Sequence, residues 1–186
     1  MAHPQRTGNA DEPSDARLVS DAARGSADAL ATLYSRYAKQ LLAIAYRLLQ
    51  SRQDAEDVVH DVFVGLPEAL RRYEERGSLA SWLRKITARV ALMRLREQNA
   101  RPAVELDERS LRVSGRVSAN TPDTALTIEQ ALRALSPNLR AVLVLKEIEG
   151  FTHAEIAAML DISVGASEVR LHRALLAMRA QLLDNT

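Results

Sequence analysis

Between Asp54 and Arg96 the chain reverses its charge. Residues 54–70, DAEDVVHDVFVGLPEAL, hold five carboxylates (Asp54, Glu56, Asp57, Asp61, Glu68) and no Lys or Arg. Residues 71–96, RRYEERGSLASWLRKITARVALMRLR, hold eight cations against Glu74 and Glu75, a formal charge of +6. Neighbouring amphipathic segments of opposite sign suggest two partners, one basic and one acidic. A polyanionic nucleic acid is the obvious acidic one.

The net charge of the 186 residues is only +1, because charge is segregated rather than absent. Apolar residues make up 47%, enough for a core, and aromatics only 4%. With Ala, Leu and Arg abundant, that balance favours helix over sheet. The absence of Cys removes disulfides, thiolate zinc sites and Cys nucleophiles, and suits a reducing cytoplasm. No apolar run approaches the roughly 18–20 residues of a membrane span, so no membrane insertion is expected. Residues 1–15 are polar and Pro-containing, without a signal-peptide core, and read as a disordered tail.

From Ser26, a candidate N-cap, Leu30, Leu33, Tyr34, Tyr37, Leu41, Ile44, Ala45 and Leu48 recur at helical spacing, with the tyrosines expected inside. Ser51 and Asp54 punctuate a second helix with Val58, Val62, Phe63 and Leu66 on its apolar stripe. Asp54, Asp57 and Asp61 share another face. On spacing alone a solvated acidic face is favoured over a docking one. Gly65 and Pro67 should break or kink this helix near Leu66, with Pro67 opening a new short one. Ser78 or Ser81 can cap the next helix. Leu79, Trp82, Leu83, Ile86, Val90, Met93 and Leu95 should face inward there, and Arg84, Lys85, Arg89, Arg94 and Arg96 elsewhere. Such cations can lie along a phosphate backbone. Trp82 is the single Trp: either a buried aromatic or a base-stacking platform.

Residues 97–124 lose the period and read as a linker of 28 residues, reaching roughly 30 Å as a loose coil. Four helices follow. One begins after Asp123, and one opens at Ser136-Pro137 and stops at Gly150. A short one opens on a Thr152–Glu155 capping box, and a longer one follows the turn Asp161-Ile162-Ser163. The last pair describes a helix-turn-helix. Ile156, Ala157, Leu160 and Ile162 should pack the pair, and Leu171, Leu175 and Met178 should hold its second helix. Ser167, Glu168, Arg170, His172 and Arg173 form the face that can read a major groove. The expected fold is thus all-α: two small helical domains joined by a flexible linker, the C-terminal one a helix-turn-helix.

Together, DAEDVVHDVFV, RYEERGSLASWLRKITARVALMRLR and LSPNLRAVLVLKEIEGFTHAEIAAMLDISVGASEVRLHRAL resemble the bacterial RNA polymerase sigma factors. The short two-domain layout is similar to their extracytoplasmic-function group, over about residues 16–183. The resemblance implies region 2 over 16–96 and region 4 over 125–186, with core RNA polymerase and promoter DNA as partners in the cytoplasm. It implies that Asp54, Glu56, Asp57 and Asp61 meet the polymerase clamp helices. Trp82 and the basic helix (Arg84, Lys85, Arg89, Arg94, Arg96) would melt and read the minus-ten element, and the helix-turn-helix would read the minus-thirty-five element. An anti-sigma factor is a common further partner in that family. Departures from it are Val90 and Met93 where Asn and Asp are frequent, Leu79 for Phe, His60 for Gln, and Asp161 for Gly. Glu168 replaces a cation and can accept a hydrogen bond from cytosine.

Two other classes compete. A metal or acid–base enzyme needs ligand-spaced histidines or a nucleophile beside the Asp57–Asp61 pair. His3, His60, His153 and His172 are dispersed, so neither catalytic residue nor cofactor is expected. An operator-binding regulator explains residues 152–179 but not the charge-split N-terminal half.

Overall fold

A computed structural model describes residues 13–74, 77–100 and 124–184. Its elements are helical: α1 (Asp15–Ala23), α2 (Ala27–Leu49), α3 (Arg52–Arg71) and α4 (Leu79–Ala100) form an N-terminal module. The C-terminal module contains α5 (Thr124–Ala134), α6 (Pro137–Leu143) with a π-helical continuation (Val144–Ile148), α7 (His153–Leu160) and α8 (Val164–Asp184). No described helix is long and apolar enough to cross a membrane.

Helix α2 is the axis of the first module, packed by α1, α3 and α4. Leu33, Leu41, Ile44 and Leu48 recur on one face and are fully buried. Each such side chain stabilises the fold by roughly 1.5–3 kcal/mol relative to exposure. Ser26 Oγ accepts from Ala29 N–H (3.3 Å) and starts the helix. Ser51 does the same for α3 through Asp54 N–H (3.3 Å), and Ser78 for α4 through Ser81 N–H (3.2 Å). Tyr37 is buried as expected, but Tyr34 is exposed and meets Phe63 edge-on at 4.9 Å.

Several expectations need correction. Residues 13–15 are ordered: Asp15 begins α1 and accepts from both Arg36 and Tyr37 (2.5 Å each). Residues 1–12 lie outside the described residues. Helix α3 does not break at Gly65–Pro67 but continues to Arg71. Pro67 forfeits the bond to the Phe63 carbonyl, worth roughly 3 kcal/mol with its steric cost. Burial of Leu66 and Leu70 on either side compensates, and Arg71 Nε donates to Ala23 O of α1 (3.4 Å). Met93 is 54% exposed rather than inward; Thr87, Ala88, Ala91 and Leu92 complete the buried face beside Leu79, Leu83 and Leu95. Helix α4 runs on to Ala100, and residues 101–123 of the expected linker lie outside the described residues.

The C-terminal module follows its caps. Pro137 occupies the first turn of α6, though Ser136 makes no side-chain capping bond. The helix widens into a π turn, Glu149 N–H reaching Val144 O (3.0 Å), before Gly150 turns the chain at φ +74°. Thr152 and Glu155 form the reciprocal capping box of α7. Asp161 takes the left-handed conformation (φ 55°) that ends α7, a position that favours Gly, Asn or Asp. Helix α8 faces the module with Ser167, Leu171, Ala174 and Met178. Leu175, expected in that stripe, is exposed; Ala174 takes its place.

Candidate functional site

Three surfaces carry the residues singled out by sequence. The first is the acidic face of α3. Asp54, Asp57 and Asp61 lie on turns held down by Val58, Val59 and Val62 beneath. Arg94 of α4 reaches across, Nε to Asp54 (3.5 Å) and a terminal nitrogen to Asp57 (3.2 Å). The Asp54 carboxyl is lowered below its ordinary value, first by the Ser51 hydroxyl that also caps the helix. Glu56 pairs with Arg52 (2.8 Å) along the helix surface, and Asp61 is exposed. Asp54, Asp57 and Asp61 therefore form one row on α3, with Arg94 already leaning on it, while Glu56 lies round the helix beside Arg52.

The second surface is α4 with the turn before it. Gly77 sits at φ +148°, a conformation few other residues take, and its carbonyl accepts from Tyr73 OH (3.2 Å). Tyr73 meets Trp82 edge-on at 4.8 Å, so the indole is half-buried and fixed in angle. Arg89 is exposed. Arg94 belongs to the acidic row just described. The other three cations face the C-terminal module: Lys85 pairs with Glu155 (2.9 Å), Arg96 donates to Met159 O (2.5 Å), and Arg84 lies 3.9 Å from Glu149. They point away from their own module's core, as expected, but toward the neighbouring module.

The third surface is the outer face of α8. Glu168, His172 and Arg173 are exposed and Arg170 is half-buried. Ser167 is a correction: it is fully buried, its hydroxyl 2.9 Å from His153 Nδ1, and so ties α7 to α8 instead of facing outward. It lies one turn before Leu171 on the inward stripe.

Sequence reasoning passed over Arg47, Arg140 and Glu149, and saw Glu155 only as a helix cap. Arg140 is buried and donates to Leu48 O at the end of α2 (3.2 Å) and to Leu135 O (3.1 Å). Burial lowers its basicity. Glu149 is buried between Arg47 (3.4 Å) and Arg84, and burial raises its carboxyl above the ordinary value despite both cations. The Lys85 ammonium, with the capping-box bonds, holds Glu155 down at about 2. Glu155 was legible as a cap; its second role was not. Among the described residues no group of His, Asp and Glu is arranged to hold a metal ion.

Two family models match the chain: Sigma-70 region 2 over residues 33–101 and Sigma-70, region 4, over 125–178. The ECF RNA polymerase sigma factor SigE of Mycolicibacterium smegmatis is 30% identical over 200 aligned positions, spanning 99% of this chain and 74% of that protein. SigM of Mycobacterium tuberculosis, of the same description, is 28% identical across 90% of this chain and 84% of its own length. Among solved structures, CnrH in complex with the cytosolic domain of CnrY is 27% identical, with a TM-score of 0.55 over 92% of this chain and 99% of that one. The sigma factor RpoE bound to the anti-sigma factor NepR, from Bartonella quintana, shares the fold (TM-score 0.56, 21% identity, 80% and 92% coverage).

A helical module with paired acidic and basic faces, joined to a helix-turn-helix, is the architecture of a transcription initiation factor. The chain belongs to the ECF RNA polymerase sigma factors. It binds core RNA polymerase and directs it to promoter DNA at transcription initiation. A regulator acting without polymerase is not favoured, because region 2 is matched as well as region 4.

Proposed function

We propose that the labour of initiation is divided among the three surfaces. Asp54, Glu56, Asp57 and Asp61 grip the clamp helices of the polymerase. Trp82, Arg84, Lys85, Arg89 and Arg96 engage the opened minus-ten element, the cations on its backbone and the indole at an extruded base. Arg94 serves both surfaces, shielding the acidic row until the clamp replaces it. Glu168, Arg170, His172 and Arg173 read the minus-thirty-five element, with Ser167 holding their helix in place from beneath. The observation carrying this reading is the adjacency of an exposed acidic row on α3 and a cation-rich α4 within one module.

The functional modules are those read from sequence, 16–96 and 125–186, with the first extended to take in the start of α1 at Asp15 and the end of α4 at Ala100. The chain works in the cytoplasm, where polymerase and chromosome meet, and the bond-making chemistry is the polymerase's. An anti-sigma factor is the third partner that the family implies; the sigma factor RpoE of Bartonella quintana was solved with one, NepR.

Photocrosslinking separates the roles. A benzophenone side chain at His60, exposed beside the acidic row, should join the chain to the largest polymerase subunits. The same group at His172 should join it to upstream promoter duplex in the holoenzyme. DNA adducts at His60, or polymerase adducts alone at His172, would overturn the assignment.

A further inference from the structure

Helix α8 carries a valine in the middle of its charged outer face. Val169 is 51% exposed, and Glu168, His172 and Arg173 around it are exposed too. Gly165 and Arg173 lie four residues before and after Val169, so the three share one line along the helix. The module's own packing does not account for Val169. Ser167, Leu171, Ala174 and Met178 face the module, and Val169 lies about half a turn round from them. Local preference does not account for it either, since a β-branched side chain loses rotamer freedom in a helix and gains no burial here. Val169 is the sixth residue of α8, within the opening turns that a recognition helix places in the groove.

We propose that Val169 is a specificity-determining residue, selecting a thymine in the upstream promoter element through its C5-methyl group. This rests on the reading of the α8 face as the groove-reading surface, and adds a contact made by neither charge nor hydrogen bond. The major groove presents one apolar group, the thymine methyl; the remaining base edges are donors and acceptors. Val offers neither donor nor acceptor. Over an adenine, guanine or cytosine edge it strips water from polar atoms and returns no hydrogen bond. Over a thymine methyl it buries apolar surface against apolar surface. Gly165 lets so short a side chain reach. It stands one turn earlier on the same line, and a Cβ there would meet nothing within 4 Å, so the bare backbone can lie close to the groove floor. Three neighbours therefore need three different things from DNA: Glu168 a donor, Arg173 an acceptor or phosphate, and Val169 a methyl group.

The test uses the full chain in the holoenzyme. Core polymerase with the native chain selects from a pool of duplex DNA whose upstream element is randomised. The selected duplex is then remade with uracil for thymine, one upstream position at a time. Uracil keeps the hydrogen-bonding groups and removes only the methyl. One position should lose about fourfold in affinity, the share of one buried methyl-sized group. With Val169→Ser that loss should all but vanish, and the slope of log affinity against log salt should stay as in the native chain, because no phosphate contact is removed. Ser and Val have similar helix propensities and the site is exposed, so unchanged helicity by circular dichroism is expected. Indifference to uracil at every upstream position, or the same penalty in both chains, overturns the proposal. Weaker binding of core polymerase by Val169→Ser, with the uracil response unchanged, gives this face to a protein surface and overturns it as well. A native holoenzyme that enriches no upstream sequence would instead refute the groove reading of α8, and this inference with it.

Discussion

Asp57→Ala separates gripping polymerase from holding the fold together. Among the described residues Asp57 makes one ion pair, with Arg94 at 3.2 Å, and both side chains are about half exposed (50% and 40%). Water and salt screen such a pair, and exposed pairs contribute roughly 0.2–1 kcal/mol. Arg94 keeps Asp54 at 3.5 Å, which places the loss at the low end of that range. At roughly 2–4 °C per kcal/mol for a chain of this size, the melting temperature should fall by no more than about 4 °C. At an interface the arithmetic differs. Removing one partner of a desolvated charge pair costs roughly 2–5 kcal/mol, much of it from stranding the other charge. The smaller figure already weakens core association about thirtyfold. The assay is anisotropy of the dye-labelled chain titrated with core polymerase, beside a thermal melt of the free chain. A dissociation constant within about threefold of native refutes the clamp role. A drop in melting temperature well beyond 4 °C refutes the weak internal pair on which the separation depends.

Three further outcomes follow from the geometry. Arg173→Ala should weaken promoter binding by the holoenzyme and reduce the slope of log affinity against log salt by about 0.9, the share of one phosphate; an unchanged slope means that Arg173 touches none. Ser167→Ala removes a buried bond to His153 at the cost of about 1 kcal/mol, so a melt should shift by a few degrees while the ranking of promoters stays as it was. A changed ranking would return Ser167 to the groove. Tyr37 is raised to about 12, first by burial and then by its bond to Asp15. Because the folded value exceeds the unfolded one near 10, its contribution of about 2–3 kcal/mol is complete below pH 10 and is lost as pH climbs toward 12. Phenolate absorbance beside helicity, compared with Tyr37→Phe, reads this directly; a Tyr37 that ionises near pH 10 in the folded chain would contradict it.

Much of the fold was legible because it rests on local chemistry. Ser26, Ser51, Ser78 and the Thr152–Glu155 box start helices through bonds within four residues, and Gly150 and Asp161 end them through backbone conformation. Where long-range contacts decide, the sequence was mute. Helix α1 has nine residues and only Leu18 and Ala22 buried; Arg36 and Tyr37, more than twenty residues away, anchor its start. Pro67 reads as a breaker because the packing that outweighs it comes from other helices, through the shared core that buries Leu66 and Leu70. On α8, a one-residue rotation exchanges Leu175 for Ala174 and turns Ser167 inward, a difference that a stripe of mixed Leu and Ala does not disclose. The acidic row of α3 was visible in its spacing, but Arg94 lies about forty residues along the chain. The pairing of Arg84, Lys85 and Arg96 with the second module depends on how two modules meet, which no periodicity encodes.

Transcript ends mapped across genomic DNA test the central claim most directly. Core polymerase and this chain, together and each alone, are supplied with nucleotides and the 5′ ends are sequenced. The account predicts a discrete set of start sites, with shared sequence about one and three helical turns upstream, appearing only when both are present. The same ends with core polymerase alone, or sequence-specific occupancy of DNA by this chain with no polymerase present, would contradict it.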